Sequence, residues 1–314
     1  MGQILADFLE FTEAGLYCKY GDFYLDARKP VHQVIVSHAH ADHTIGGCTS
    51  VYGTSPTIDF MKHRYGKNAG KFFCIKAYRE LFTIQSVQIT LFPAGHILGS
   101  AVVLMQYNGV RYVYTGDFKL QGDTTCESVD LPDADVLITE TTFANPNIRH
   151  PDPLSEIQKL KAIRHPVLLG AYSLGKAQRL TRLITAHCPE KKIFVHHAIL
   201  PFHRIYESNG IKLGDYQPYN RKSFKDCEND AVYLVPPLTF NSYFKARNVL
   251  RIFASGWSRL QQHNDASLYI SDHVDWQDLL QVVGQINPKE IWTLHGDGRL
   301  LAEFYAHRIN VKHL

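Results

Sequence analysis

The feature of this sequence that most constrains its fold is the run His-Ala-His-Ala-Asp-His at residues 38–43. It places four side chains that can ligate a metal directly after the apolar residues 31–36, which are typical of a buried strand. Imidazole and carboxylate groups are common protein ligands of divalent metals. A polar loop with chance histidines is the weaker interpretation, because the ligand types crowd into one short turn. The sequence therefore predicts a metal site at a strand end.

The composition is typical of a water-soluble globular protein. The 314 residues are 45% hydrophobic and 20% charged, enough to bury a sizeable core. No apolar run reaches the ~18 residues of a membrane span, and residues 1–10 do not resemble a secretory signal. The six cysteines form no C-x-x-C pair, so we expect reduced thiols and a cytoplasmic location. The net charge of +3 permits a nucleic-acid partner without requiring one.

The pattern of predicted elements changes twice along the chain. Up to about residue 150 short strands dominate, for example 101–107 and 110–114, joined by an Asn108-Gly109 hairpin turn. Residues 151–263 alternate between predicted helices and strands, which favours a separate α/β unit. A strand at 267–270, a helix at 276–286 and a strand at 291–294 follow. We therefore predict one domain from 1–150 and 264–314, with a second domain, 151–263, inserted into it.

Three further candidate ligands also follow apolar runs: His96, Asp117 and His295. A carboxylate such as that of Asp117 can bridge two ions, since each oxygen binds one metal. Two ions about 3.5–4 Å apart can activate water and stabilise an in-line displacement at phosphorus. A single histidine at a strand end would more often be structural, so the prediction of a two-metal hydrolase depends on the whole set.

Successive motifs resemble the metallo-β-lactamase superfamily, and in particular its β-CASP branch of nucleic-acid-processing enzymes. In chain order they are HAHADH at 38–43, AGHILGS at 94–100, YTGDF at 114–118, DVLITETTF at 135–143, SDHVDW at 271–276 and LHGDG at 294–298. They extend over nearly the whole chain, and the last three separate this branch from lactamases and glyoxalase-like enzymes. The resemblance implies an α/β fold, the metallo-β-lactamase αβ/βα sandwich, with an inserted β-CASP α/β cap domain.

The same resemblance implies two zinc ions, with Mn²⁺ or Mg²⁺ as an alternative in one site. One ion takes three histidines, the other takes an aspartate and two histidines, and a further aspartate bridges both. These sets are His38, His40 and His96; Asp42, His43 and His295; and Asp117.

Two residues outside the ligand set have implied catalytic roles. By the resemblance, His273 contacts the scissile phosphate and acts as general acid, and Glu140 orients it. The chemistry agrees, because a departing 3′-alkoxide needs a proton and a histidine held by a carboxylate can donate one near neutral pH. Asp42 is a third catalytic candidate, as a base or as a ligand, and both roles stay open.

A narrower resemblance connects the chain with bacterial DNA-ligase-associated exonucleases. It is carried by FTEAGLYC at 11–18, GDFY at 21–24 and AYSLGKAQ at 171–178. The Tyr-Ser-x-Gly-Lys part is also similar to the 5′-phosphate pocket of DNA cross-link-repair nucleases. Ser173, Gly175 and Lys176 are thus candidate phosphate ligands, since backbone N–H groups and a cation converge where a strand enters a helix.

Two aspects of this segment remain open. Ser173 could instead cap the helix while Lys176 is solvated. The segment also continues with Ala177-Gln178, as in RNA-processing members, where the cross-link-repair nucleases carry Glu. The polarity of an exonuclease is therefore not determined.

Two other groups of residues have competing interpretations. His196, His197 and His203 could form a further metal site, but structural histidines are the stronger interpretation. Residues 216–225 mix basic and aromatic side chains, which suits either nucleic-acid contact or a solvated loop.

These observations favour a zinc-dependent nuclease that hydrolyses phosphodiester bonds of DNA. We expect an exodeoxyribonuclease that acts at DNA ends in repair, and the resemblance implies a DNA ligase or helicase partner. One alternative is an RNA-processing nuclease of the same branch. Another is a small-molecule ester hydrolase on the same fold, against which the inserted cap and His273 argue.

Overall fold

The computed structural model describes residues 2–296 and 298–314. Met1 and Asp297, the latter within the predicted motif at 294–298, lie outside the described residues. The chain divides into two compact units, which are described separately. The first unit is Met1–Gly122, Cys126–Arg149 and His273–Leu314, and the second is Asp123–Thr125 and His150–Asp272. The predicted domains, 1–150 with 264–314 and 151–263, stay a prediction.

The described residues form 18 strands and 8 α-helices. The strands β1 to β18 are Glu10–Thr12, Gly15–Cys18, Phe23–Leu25, Gln33–Ile35, Ser50–Gly53, Phe72–Ile75, Leu81–Ile84, Val87–Pro93, Ala101–Tyr107, Val110–Tyr114, Val136–Glu140, Val167–Gly170, Lys192–Val195, Gln217–Pro218, Ala231–Val235, Leu250–Phe253, Glu290–Leu294 and Asn310–His313. The helices α1 to α8 are Ser55–Tyr65, Pro153–Ala162, Lys176–His187, Leu200–Ser208, Arg221–Asp226, Pro237–Ser242, Trp276–Ile286 and Arg299–Tyr305. None of these helices is long and apolar enough to cross a membrane.

The first unit contains two sheets. One has the strand order β1-β2-β3-β4-β5-β6, antiparallel from β1 to β3 and parallel from β3 to β6. The other has the order β18-β17-β11-β10-β9-β8-β7. Its strands β18, β17, β11 and β10 are parallel, whereas β10, β9, β8 and β7 are antiparallel. The carboxyl ends of β10, β11 and β17 therefore meet at one edge.

Apolar side chains arrange these two sheets in layers. Residues from both sheets, such as Ile35 and Tyr112, share one core. The first sheet packs its other face on α1, through a cluster that includes Ile58. The second sheet packs its other face on α7 and α8, through residues such as Val283 and Leu301. The unit thus fits the predicted αβ/βα sandwich, since burying each large side chain contributes roughly 1.5–3 kcal/mol.

The second unit is built on a parallel sheet with the order β14-β13-β15-β12-β16. One face packs on α2 and α3, for example through Leu160 and Leu180. The other face carries Leu168, Tyr233 and, from α6, Phe240. All five residues of β15, Ala-Val-Tyr-Leu-Val, are buried, as expected for a strand that is covered on both faces.

The predicted strand at 267–270 is wrong. Only Leu268 pairs, in an isolated bridge with Ala254. Side chains take the hydrogen bonds that a ladder would make, since Leu268 N donates to Gln261 Oε1 at 3.1 Å and Tyr269 N donates to Glu156 Oε2 at 2.8 Å. The apolar alternation that suggested a strand buries Leu268 and Ile270 in the core without regular pairing.

Candidate metal centre

The predicted metal ligands of the first unit all follow strands of its two sheets. The run 38–43 follows β4, His96 follows β8, Asp117 follows β10 and His295 follows β17. Glu140 is the last residue of β11 and is paired in register with Leu294, next to His295. The strand ends thus bring the side chains of distant motifs together.

Three histidines surround one point. His40 Nδ1 lies 3.1 Å from His38 Nε2 and 3.0 Å from His96 Nε2. Asp117 Oδ2 lies 3.6 Å from His38 Nε2 and 3.8 Å from His96 Nε2. A zinc ion at 2.0–2.1 Å from its nitrogen ligands separates them by about 3.3–3.4 Å in a tetrahedron. The four side chains, whose ligand atoms lie within 4.8 Å of one another, therefore suit a divalent metal.

A second group shares Asp117 with the first and contains His43 and His295. His43 Nε2 lies 3.4 Å from Asp117 Oδ2 and 3.8 Å from Asp42 Oδ2, and the His43 and His295 rings are 5.0 Å apart. This buried Nε2 makes no hydrogen bond of normal geometry with the described residues. The Asp42 side chain is 77% exposed, so this group is more open than the first.

The buried charges suit cation binding. Burial opposes a charge on His43, yet the carboxylates of Asp117 and Asp26 raise its pKa well above the usual value. Burial likewise opposes ionisation of Asp117, but the nearby His43 and His273 hold its pKa well below the usual value. For His38, burial and then the charge of His43 lower the pKa. A metal that displaces the His43 proton thus meets an ionised carboxylate and a neutral imidazole.

Asp26 is a functional candidate that the sequence reasoning missed. Its Oδ2 accepts hydrogen bonds from Ser37 Oγ at 2.6 Å, Tyr114 Oη at 2.8 Å and His43 Nδ1 at 2.8 Å. Because the Nδ1 proton of His43 is held there, its Nε2 is left for a ligand role. The signal was available, since an aspartate directly follows the apolar β3 ahead of the histidine run.

His273 and Glu140 form a pair beside the histidine cluster. His273 Nδ1 lies 2.8 Å from Glu140 Oε2 and 4.0 Å from Asp117 Oδ2. Glu140 is buried, and its Oε1 accepts a hydrogen bond from Phe118 N at 3.0 Å. The His273 side chain is 25% exposed. The carboxylate is thus fixed on both oxygens, while the imidazole can still be reached from solvent.

Unusual backbone conformations accompany these side chains. His295 has φ of 51° and Asp26 has φ of 46°, both in the left-handed region. At Gly116, φ is 54°, and an added Cβ would lie 2.7 Å from Ser37 Oγ. Only glycine therefore lets the end of β10 approach the segment that leads into the histidine run. Such strain often lies at functional sites, because the surrounding structure must maintain it.

The candidate phosphate ligands Ser173, Gly175 and Lys176 lie together before and at the start of α3, in the second unit. Lys176 is buried, and its Nζ is 2.9 Å from Asp272 Oδ2. Gly175 N donates to Gln178 Oε1 at 2.7 Å. The alternative of a Ser173 cap with a solvated Lys176 is wrong, because Gly175 occupies the N-cap position and the lysine is ion-paired. Phosphate binding itself stays a prediction.

The histidines of the second unit join no metal-ligand group among the described residues. His203 is buried, and both of its ring nitrogens are hydrogen-bonded. Its Nδ1 accepts from Gln178 Nε2 at 3.0 Å, and its Nε2 donates to Thr181 Oγ1 at 2.9 Å. Burial lowers its pKa to about 4. These contacts support the structural interpretation of His203.

Comparison with known proteins finds relatives that are mostly longer than this chain. No protein-family model matches it. It is 31% identical to a probable DNA ligase of Opitutus terrae, over 90% of this chain and 28% of that protein. It is 28% identical to an RNase J-like protein of Methanocaldococcus jannaschii, over 61% of this chain and 51% of that protein. It is also 28% identical to endoribonuclease YSH1 of Kluyveromyces lactis, over 49% of this chain and 22% of that protein.

A solved structure resembles the fold of most of this chain. It is the crystal structure of a protein of unknown function from Enterococcus faecalis V583, with a TM-score of 0.61. The match covers 90% of this chain and 79% of that one, at 15% sequence identity. At this identity the likeness concerns the fold alone.

Proposed function

We propose that this chain is a metal-dependent nuclease of the β-CASP branch of the metallo-β-lactamase superfamily. The observation that carries the proposal is the His273–Glu140 pair, 2.8 Å apart, with the imidazole 4.0 Å from Asp117. A metal site alone would suit many hydrolases. A buried carboxylate that holds a partly exposed histidine beside that site adds the proton donor that an alkoxide leaving group requires.

Two zinc ions fit the residues of the centre. His38, His40 and His96 would hold one ion, while His43 and His295, with Asp42 beside them, would hold the other. Asp117 belongs to both sets, in keeping with its place in both ligand groups. When bound, such ions polarise phosphoryl oxygens and activate water. Mn²⁺ or Mg²⁺ in the more open site is an alternative.

The chain's own residues then orient the substrate and supply the proton. Glu140 accepts the Nδ1 proton of His273, which leaves Nε2 for the substrate and stabilises a positive imidazole. His273 donates its Nε2 proton to the departing 3′ oxygen. Asp26 keeps His43 in the tautomer that directs Nε2 toward Asp117. Asp42, exposed at the edge of the centre, is the remaining candidate for a base.

The proposed substrate is DNA, cleaved from its ends in repair. The relative that aligns with 90% of this chain is named a probable DNA ligase, which supports a DNA substrate and a ligase or helicase partner. Binding of a 5′-phosphate by Ser173, Gly175 and Lys176 would require the lysine to exchange Asp272 for phosphate. A cytoplasmic location is part of the same proposal.

RNA is the second candidate substrate. The relatives named RNase J-like protein and endoribonuclease YSH1 favour it, and so does Ala177-Gln178 after the candidate phosphate segment.

Digestion of matched, end-labelled DNA and RNA strands tests the function. The zinc-loaded chain is given strands that bear a 5′-phosphate, a 5′-hydroxyl or a blocked 3′ end. We expect the 5′-phosphorylated DNA strand to be shortened fastest, with release of mononucleotides. Cleavage of RNA alone would favour the second candidate, and no cleavage of either polymer would overturn the proposal.

A further inference from the structure

The second unit carries a surface that the proposed reaction does not use. Its strands β12, β13 and β15 are parallel, and the carboxyl ends of such strands are the usual place for ligands in open α/β sheets. Aromatic side chains lie at these ends, on the sheet face that α6 covers, and in the segment that follows α6. We call them the aromatic edge: Tyr172, His196, Tyr219, Tyr233, Phe240, Tyr243, Phe244 and Phe253.

Ring contacts hold much of the aromatic edge together. The Tyr219 ring stacks on Tyr233, with centroids 3.9 Å apart. The His196 ring lies 6.2 Å from Tyr233. On the other side of the edge, Phe253 lies 5.3 Å from Phe240 and 6.0 Å from Tyr172. The rings thus contact one another in two groups, one around Tyr233 and one around Phe253.

Three rings of the aromatic edge are exposed to solvent, and Tyr172, at 47%, directly precedes the candidate phosphate ligand Ser173. Tyr243 is 41% exposed and Phe244 is 66% exposed. A phenylalanine exposed to this extent leaves apolar area in water that folding would ordinarily bury. Exposed rings beside cations are typical of surfaces that bind single-stranded nucleic acid, because any base can stack on them.

The charge of the segment favours a polyanion. Residues 236–251 contain Lys245, Arg247 and Arg251 and no aspartate or glutamate. Lys245 and Arg247 are exposed, and Lys245 Nζ lies 5.3 Å from the Phe244 ring. A protein-docking surface would instead be depleted in lysine at its centre. The two cations thus closely follow the two exposed rings Tyr243 and Phe244 along the chain.

We propose that the aromatic edge binds an unpaired strand of the nucleic acid that the enzyme processes. Bases stack on Tyr243 and Phe244, and phosphates pair with Lys245 and Arg247. Bases inside a duplex are already stacked on each other, so the surface selects single strands without sequence preference. This inference rests on the proposed function for the nature of the ligand.

Fluorescence anisotropy tests the inference with the zinc-loaded chain. The probe is a labelled 15-nucleotide oligothymidylate with a phosphorothioate backbone, which resists cleavage. We expect Phe244→Ala to weaken binding about tenfold or more, and Tyr243→Ala to act in the same direction. Leu238→Ala is the matched control, because Leu238 is an apolar residue of α6 that is 86% exposed and lies outside the proposed contact. It should bind as the wild type does.

An abasic strand of the same length and backbone separates stacking from charge. The Phe244→Ala effect should disappear on that strand, because no base remains to stack. Lys245→Gln should weaken binding to both strands and reduce the slope of log affinity against log salt by about 0.7. Unchanged binding by the two aromatic variants, an equal loss on the abasic strand, or an equal loss in Leu238→Ala would overturn the inference.

The proposed function has its own readout. Hydrolysis of bis(p-nitrophenyl) phosphate by the wild-type chain needs the metal centre and no base stacking. If that hydrolysis is absent while strand binding depends on Phe244, the proposed function fails and the binding surface stands. If hydrolysis is present and the aromatic variants bind normally, the inference fails alone.

Discussion

At the residue scale, Asp26 holds one of the candidate ligands, His43, by a hydrogen bond. The two buried carboxylate oxygens of Asp26 accept hydrogen bonds from His43, Ser37 and Tyr114. A carboxylate that holds a ligand histidine typically increases metal affinity by 10–100-fold. We expect Asp26→Asn to lower zinc affinity by about that factor, because the amide has no negative charge and only one acceptor oxygen for donors that now bind two. Zinc titration with a competing chelator measures it.

The matched control for this prediction is Asp22→Asn. Asp22 is exposed and accepts a hydrogen bond from Tyr17 at 2.9 Å, outside the ligand groups. Its variant should bind zinc as the wild type does. Unchanged zinc affinity in Asp26→Asn would show that His43 does not need the carboxylate.

His273 has a chemical signature that distinguishes proton donation from simple positioning. We expect His273→Ala to slow cleavage of a DNA strand by roughly 10²–10⁴-fold, since the alkoxide leaving group then lacks its donor. Hydrolysis of bis(p-nitrophenyl) phosphate should fall far less, because p-nitrophenolate leaves without a proton. His32→Ala, at an exposed histidine outside the centre, serves as control. Equal losses on both substrates would rule out the donor role.

At the scale of elements, one buried ion cluster ties α3 to the segment that precedes His273. Lys176 and Arg179 of α3 lie 2.9 Å and 2.8 Å from the two oxygens of Asp272. Removal of one partner leaves the other charges unpaired in the protein interior. We therefore expect Asp272→Ala to reduce the free energy of unfolding by about 3–5 kcal/mol. Urea denaturation followed by circular dichroism measures the change.

A surface pair provides the comparison for this cluster. Glu303 binds Arg299 at 2.8 Å on α8, with both side chains about 60% exposed. Glu303→Ala should cost roughly 0.5 kcal/mol or less. If Asp272→Ala costs no more than Glu303→Ala, the cluster does not hold the segment in place.

The contact between α3 and α4 predicts a pH dependence. His203 of α4 accepts a hydrogen bond from Gln178 Nε2 at Nδ1, so a proton on Nδ1 would place two N–H donors against each other. Burial lowers the pKa of His203 to about 4. The unfolded histidine titrates near 6.5, so the unfolded state binds more protons between these values. Stability is therefore full above pH 6.5 and falls as the pH drops toward 4, by up to roughly 3 kcal/mol.

Urea midpoints measured from pH 7.5 to 4 check this sign. His203→Gln removes the titrating group, so its stability should fall less over the same interval. An equal slope in the variant and the wild type would assign the acid sensitivity to other groups.

The sequence predicted elements best where local signals agreed. Helix α7 has the predicted bounds, because Asp275 caps it and its buried residues repeat with helical spacing. The hairpin of β9 and β10 was predicted correctly at Asn108-Gly109. The wrong strand at 267–270 and the burial of Lys176 both depend on side chains that are distant in sequence. Gln261 and Glu156 accept the backbone hydrogen bonds at 268–269, and Asp272 forms the ion pair with Lys176.

At the scale of the whole molecule, the spacing of motifs along the chain indicated the site better than any single motif. The seven ligand candidates could be predicted because each lies in a segment that follows a strand, and parallel strands bring their carboxyl ends together. The bonding of Asp26 was not predictable, because it depends on Tyr114 from the other sheet. The substrate stays a proposal, since this chain covers about a fifth to a half of the length of these three relatives.

The central claim is that the shared centre around Asp117 performs phosphodiester hydrolysis. The most direct measurement compares wild type and Asp117→Ala, each with verified zinc content, on an end-labelled DNA strand. Asp133→Ala is the control, since that side chain is 82% exposed on the same unit. We predict full loss of cleavage in Asp117→Ala, with a circular dichroism spectrum like that of the wild type and normal cleavage in the control. Turnover retained in zinc-loaded Asp117→Ala would contradict the account.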